Sequence, residues 1–136
     1  MGELYVVEER LGFPESTRWH DGRVWLCNWG SGEVLAVTPD DKGQVMARLA
    51  RETLPFSIDW LPDGRLLIID GPKRQLLRLE ADGTLDVVAD LSGLGPEPFN
   101  ELLVDDAGNA YVNGGPGLVV LVRPDGTQRT VADSLE

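Results

Sequence analysis

A glycine-centred, Asp-rich turn returns at nearly constant spacing along this chain, and no other feature narrows the fold so far. "RWHDGRVWLCN", "DWLPDGRLLIID" and "LVDDAGNAYVN" place Gly22, Gly64 and Gly108 at spacings of 42 and 44. Each is followed by an apolar strand and a second Asp-rich turn. These are "VLAVTPDDKGQV" with Gly43, "LLRLEADGTLDVV" with Gly83 and "VVLVRPDGTQRTV" with Gly126, spaced by 40 and 43. Asp-Gly readily takes the positive φ angles of a tight hairpin. Val, Ile, Leu, Trp and Tyr fill the runs between, and no run of helical spacing is long enough to count.

Each unit reads strand, turn, strand, short loop, strand, turn, strand. Four antiparallel strands recurring every 40 to 45 residues or so predict the blades of a β-propeller. The blades fall at about 13–50, 54–90 and 98–133, with an additional strand at about 4–8. The fold class is all-β, and 136 residues suit one domain. Three blades do not close a ring, because propellers close with roughly four to eight. Two apolar blade faces would be left open to water. Three blades span half of a six-bladed ring, so the expected assembly is a homodimer of half-propellers about a two-fold axis. An irregular β-structure that associates in some other way is the alternative.

The net charge of −11 argues against nucleic acid and anionic membrane surfaces as partners. It fits a protein that handles cations or small neutral molecules, and equally one that is merely soluble. With 26% charged and 42% hydrophobic residues the chain is globular. The start, "MGELYVVEERLG", has no basic region and no long apolar stretch, and no window reaches transmembrane length. The cytoplasm is therefore the expected location. Cys27 is the only cysteine, so no internal disulfide can form, and in "RVWLCN" it reads as a buried small hydrophobe rather than a catalytic thiol.

Strand propensity leaves Asn100 and Glu101 unexplained in "PFNELLVDDAGNAYVNGG". Together with "LGFPESTRWHDGRVWLCNWGSGEVLAV" and "LPFSIDWLPDGRLLIIDG", that stretch resembles the regucalcin/gluconolactonase family (senescence-marker-protein-like lactonases) over residues 4–134. The resemblance implies a six-bladed propeller, longer than this chain, that hydrolyses small-molecule lactones with a divalent cation at the central axis. Ca²⁺ is the expected ion, with Zn²⁺ or Mg²⁺ as alternatives. Glu15 in "FPES" matches the family's first-blade Glu, a metal ligand. Asn100 in "PFNE" matches the Asn of its Phe-Asn-Asp motif, which lines the pocket and holds substrate or metal; Glu101 stands where Asp is usual. The remaining ligands, an Asn and an Asp that serves as general base, come from later blades in the family. The chain thus resembles only its N-terminal half. Asn28 stands where many relatives have Asp, and "GGPGL" replaces a longer insertion after "YVN".

In a propeller the first strand of each blade lines the channel, and side chains at its mouth converge. Counting back four residues from Trp19, Trp60 and Val104 gives Glu15, Phe56 and Asn100 as one ring of positions. Two oxygen donors on separate blades suit a hard cation such as Ca²⁺, which would polarise a lactone carbonyl and acidify a bound water. A two-fold dimer would supply two of each. Hydrolysis also needs a base near the water, and Glu15 and Glu101 are the catalytic candidates, although neither matches the family's Asp. Trp29, in "NWGSGE", is expected to be more exposed and to border the substrate pocket. Trp19, Trp25 and Trp60 are expected in blade cores and His20 in solvent beside its turn. Asp40, Asp63, Asp82 and Asp125 are read as turn formers. The expected function is a metal-dependent lactonase-type hydrolase acting as a dimer. The alternative is a non-catalytic half-propeller, an assembly module or an engineered fragment.

Overall fold

The computed structural model describes residues 2–4, 6, 11–115 and 117–133. Most of the additional strand expected at 4–8 lies outside the described residues. The rest folds into three four-stranded antiparallel sheets, each with its strands in chain order. The first comprises β1 (Pro14–His20), β2 (Arg23–Asn28), β3 (Glu33–Thr38) and β4 (Asp41–Arg48). The second comprises β5 (Phe56–Trp60), β6 (Leu66–Asp70), β7 (Gln75–Leu79) and β8 (Leu85–Asp90). The third comprises β9 (Phe99–Val104), β10 (Ala110–Gly114), β11 (Leu118–Val122) and β12 (Gln128–Ala132). One turn of 3₁₀ helix, Ser92–Leu94, links the second and third. β5 packs on both β1 and β9, so the first strand of each sheet is its inner strand. These are blades of a partial β-propeller.

The turns follow from the sequence. In "LPDGR" (61–65), "EADGT" (80–84), "DDAGN" (105–109) and "RPDGT" (123–127), the fourth residue is a Gly with φ between 82° and 89°. Its amide donates to the first residue's carbonyl at 2.8–3.0 Å. A Cβ there would be strained, which is why glycine recurs. In three of these loops the Asp at the third place accepts the fifth residue's amide. In "DDAGN" that place is Ala107, and Asp105 takes over, accepting the amides of Ala107 and Asn109 at 3.0 and 2.9 Å. Blade 1 departs twice. Asp21 and Gly22, with φ of 51° and 73°, make a two-residue hairpin. Its second turn is Pro39–Asp40, whereas Gly43, read from the sequence as the turn, lies inside β4.

Two seams hold the blades together. Trp25, Cys27, Val34 and Ala36 of blade 1 meet Phe56, Ile58, Leu66 and Ile68 of blade 2. Leu67, Ile69 and Leu76 of blade 2 meet Leu102, Ala110, Val112 and Val120 of blade 3. Alternate residues of one strand thus serve opposite seams, as the period of two demands. Trp25 is buried in the first seam and Trp60 packs partly buried against it, as expected. Trp19 is not in a core: it is 73% exposed. It holds the register position of Trp60, which leans on the preceding blade, and among the described residues no blade lies before blade 1. His20 is not simply solvated either. Its ring stacks on Trp60 at 3.9 Å and 7°. The terminal faces are less open than the sequence suggests. On the outer side of blade 1, Leu26, Leu35 and Val37 are buried, and on that of blade 3 Leu121 is buried while Leu103 is 62% exposed.

Candidate functional site

Two β-bulges decide which side chains meet at the channel mouth. In β1, Glu15 pairs with Cys27 and Arg18 with Trp25, so Ser16 and Thr17 together oppose Leu26. In β9, Glu101 pairs with Asn113 and Phe99 with Gly114, which makes Asn100 the extra residue. Bulges of this kind re-aim side chains beside functional sites. They also overturn the ring obtained by counting back. Glu15, Ser57 and Glu101 share one register position, and Phe56, buried in the first seam, belongs to another.

Glu101 is the centre of a cluster drawn from all three blades. Its Oε1 accepts from the hydroxyl of Ser57 in blade 2 and from that of Ser16 in blade 1 at 3.3 Å. Arg18 Nη2 of blade 1 donates to the same oxygen at 2.7 Å, and the Leu102 amide at 3.2 Å. Arg18 also reaches the carbonyls of Leu102 at 3.5 Å and Thr17 at 3.2 Å. Ser57 is fully buried and Ser16 nearly so, while about half of the Glu101 side chain is open to solvent. Ser16 holds φ of 51°, unusual without glycine, and that conformation belongs to the bulge that turns its hydroxyl to Glu101. Counting residues alone missed Ser16, Arg18 and Ser57. A signal was present: Pro-x-Ser, Pro-x-Ser and Pro-x-Asn open the three inner strands at residues 14–16, 55–57 and 98–100.

The remaining candidates sit around this cluster. Glu15 and Asn100 are exposed and have no described hydrogen-bond partner for their side chains. Among the described residues, no three His, Cys, Asp or Glu side chains gather closely enough to hold a metal ion. Trp29 is half-buried; its indole N–H donates to the Phe56 carbonyl at 2.7 Å and its ring stacks on Phe13 at 5.4 Å. Asn28 is structural, its Oδ1 accepting the amides of Gly12 and Phe13, each at 3.0 Å. Cys27 is buried, and burial first, then the nearby Glu101 carboxylate, pushes its thiol far above the ordinary cysteine range. It is no nucleophile. A cleft of about 270 Å³ between blades 2 and 3 and a hollow of about 300 Å³ beside Leu94 and Leu118 lie elsewhere; neither is lined by Glu15, Ser57 or Glu101.

No family model and no curated protein matches the sequence. Solved structures do. Virginiamycin B lyase from Staphylococcus aureus superposes with a TM-score of 0.70 at 13% identity, covering 87% of this chain and 40% of the lyase. Regucalcin from Agrobacterium tumefaciens, described as a calcium-binding protein, gives 0.66 at 23% identity, covering 85% and 43%. A streptogramin B lyase gives 0.64 at 14% identity, covering 80% and 36%. The chain therefore spans less than half of each of these proteins. At such identities the likeness establishes the fold. It is a partial propeller. Among the described residues no helix is long and apolar enough to cross a membrane.

Proposed function

We propose that this chain is half of a six-bladed ring completed by a second copy, and that its channel mouth binds a divalent cation and hydrolyses a small lactone. The observation that supports this most is Glu101 of blade 3 gripped by Ser57 of blade 2 and by Ser16 and Arg18 of blade 1. A polar cluster shared by three inner strands of a propeller supports a site at the channel mouth. The likeness in fold to a calcium-binding regucalcin points the same way.

The donors on offer are oxygens. Glu15 supplies a carboxylate and Asn100 an amide carbonyl, both exposed, which suits Ca²⁺ or Mg²⁺ better than Zn²⁺. One chain offers fewer than the roughly six to eight oxygens of a Ca²⁺ shell, so a second copy and water would complete it. A bound cation supplies carbonyl polarisation and an acidified water. In this reading Glu101 serves as the base. Its Oε1 is held by four donors, and its Oε2 has no described partner and is left to take a proton from water. Arg18 brings a fixed positive charge beside it, placed to stabilise a developing oxyanion.

The same Arg18 favours a second reading. Its guanidinium occupies the carboxylate that a cation would otherwise take, as suits a half-propeller without catalysis. Calorimetric titration with Ca²⁺, alongside lactone hydrolysis, separates the two. The first reading expects uptake and turnover, both reduced at least about tenfold by Glu15→Ala. Neither uptake nor turnover in the parent supports the second. Uptake and turnover unchanged by Glu15→Ala would remove Glu15 from the site.

A further inference from the structure

The two seams inside the chain are built alike, and their construction names what belongs on the two terminal faces. At the first seam, Trp60 of blade 2 lies against blade 1. Its ring stacks on His20 and meets Trp25 edge-on at 5.2 Å and 84°. At the second seam Val104, in the register position of Trp60, packs against blade 2. There the neighbouring position contributes a latch: Asp59 Oδ2 of blade 2 accepts the Val104 amide at 2.6 Å. Three sets of equivalent positions follow from the pairing registers. Trp19, Trp60 and Val104 face the blade before. Arg18, Asp59 and Leu103 face the blade after. Trp25, Leu67 and Tyr111 form the surface that receives the following blade.

Among the described residues, two members of these sets have no blade against them. Trp19 lies on the outer side of blade 1 and is 73% exposed; Leu103 lies on the outer side of blade 3 and is 62% exposed. Tyr111 lies beside Leu103 on the same sheet face, half-buried. We infer that Trp19 of one copy seats on Leu103 and Tyr111 of a second copy, as Trp60 seats on Trp25 within the chain. The occupant is a second copy because the two faces are opposite sides of a seam the chain already makes twice. A two-fold axis makes the contact twice and closes six blades. An aromatic knob in a pocket at the centre of an interface is where binding energy concentrates. This inference rests on the half-ring reading above.

Light scattering across a dilution series tests it, with circular dichroism as the check on folding. Both key side chains are exposed in the single chain, so replacing them leaves its own fold undisturbed. The parent is expected at twice the chain mass. Trp19→Ala and Leu103→Lys are each expected to weaken the dimer at least about thirtyfold. Mixed one to one, the two variants should associate again. Each homodimer has two damaged seams, whereas the mixed pair keeps one intact seam of Trp19 on Leu103. Leu103→Asp should weaken the dimer less than Leu103→Lys, because the new carboxylate can accept the Trp19 amide as Asp59 accepts that of Val104. A monomeric parent would overturn ring closure and this seam together. A dimeric parent in which only Trp19→Ala dissociates would point to a Trp19–Trp19 contact and overturn the seam alone. So would a mixture that stays monomeric, or a Leu103→Asp variant that dissociates as readily as Leu103→Lys.

Discussion

The two ends of each blade obey different rules. At the turn end, four loops solve one local problem with one geometry, a Gly near φ 85° and an Asp oxygen accepting a backbone amide. At the mouth end, equivalent positions hold different residues: Glu15, Ser57 and Glu101 in one set, Asn28, Asp70 and Gly114 in another. The turn end holds each blade together, a task that is the same every time. At the mouth end side chains of different blades share polar contacts, as Glu101 does with Ser57, Ser16 and Arg18, and each position there has a different neighbour. Repetition at the turns therefore marks scaffold, and departures from the repeat at the mouth mark the polar contacts between blades.

The sharpest test of that contrast uses two glycines. Gly71, just past β6 at the mouth end, sits between two neighbouring segments. A Cβ on it would fall 2.2 Å from the Phe99 carbonyl oxygen and 2.3 Å from that of Pro55. Both are backbone atoms, held there by the Gly71 amide donating to Pro55 O at 3.1 Å and the Phe99 amide donating to Gly71 O at 3.4 Å. Gly64, at the turn end, has open space around it and only its φ of 89° to defend. Gly71→Ala should cost about 3 kcal/mol or more, from overpacking that cannot relax. Gly64→Ala should cost about 1 kcal/mol, from backbone strain alone. Urea unfolding of both variants reads the difference, and equal costs would abolish the contrast.

That contrast also sets what the sequence could tell. The turn end was legible because its chemistry is local: "PDG" and "ADG" specify their own geometry wherever they occur. So were the three blades, since period-two apolar runs between such turns leave little choice. The mouth was legible only in part. Asn100 and Glu101 stood out as polar residues on an apolar strand, yet the bulges at Ser16 and Asn100 shift the register and pair Glu101, not Asn100, with Glu15 and Ser57. A bulge is one extra residue, and counting along a single strand does not reveal it. Trp19 shows the other limit. Its place in the repeat fixes which face it is on, but not whether another blade covers that face.

A middle-sized effect is expected from the cluster itself. Glu101→Ala leaves the fully buried Ser57 hydroxyl and the Arg18 guanidinium without the acceptor they share. A buried donor stripped of its partner costs about 1–3 kcal/mol. Ser57→Ala removes a donor and leaves the carboxylate its other three, so it should cost less than about 1.5 kcal/mol. The double variant should cost less than the two singles added together, because the stranded hydroxyl is gone. Strict additivity in urea unfolding would mean that the cross-blade hydrogen bond contributes nothing.

The smallest effect belongs to the turn end and appears only in acid. Hydrogen bonds from the side chains of Arg65, Thr84, Asn109 and Thr127, then from the backbone amides of the same residues, hold Asp63, Asp82, Asp105 and Asp125 below the usual carboxylate range. Their folded pKa values lie under the unfolded value of 3.8, so the stabilisation is complete above that pH and is lost as pH falls through the folded values. These four groups should therefore leave stability level between about pH 7 and 5 and contribute a decline only below about pH 4. Replacing Asp82 and Asp125 together by Asn should flatten that decline and lower stability at pH 7 by no more than the small amount the decline removes, since an amide oxygen still accepts at the turn but gains nothing from ionisation. An acid limb of unchanged steepness in the double variant would show that the turns do not set it, and would move the acid sensitivity of this chain to the mouth.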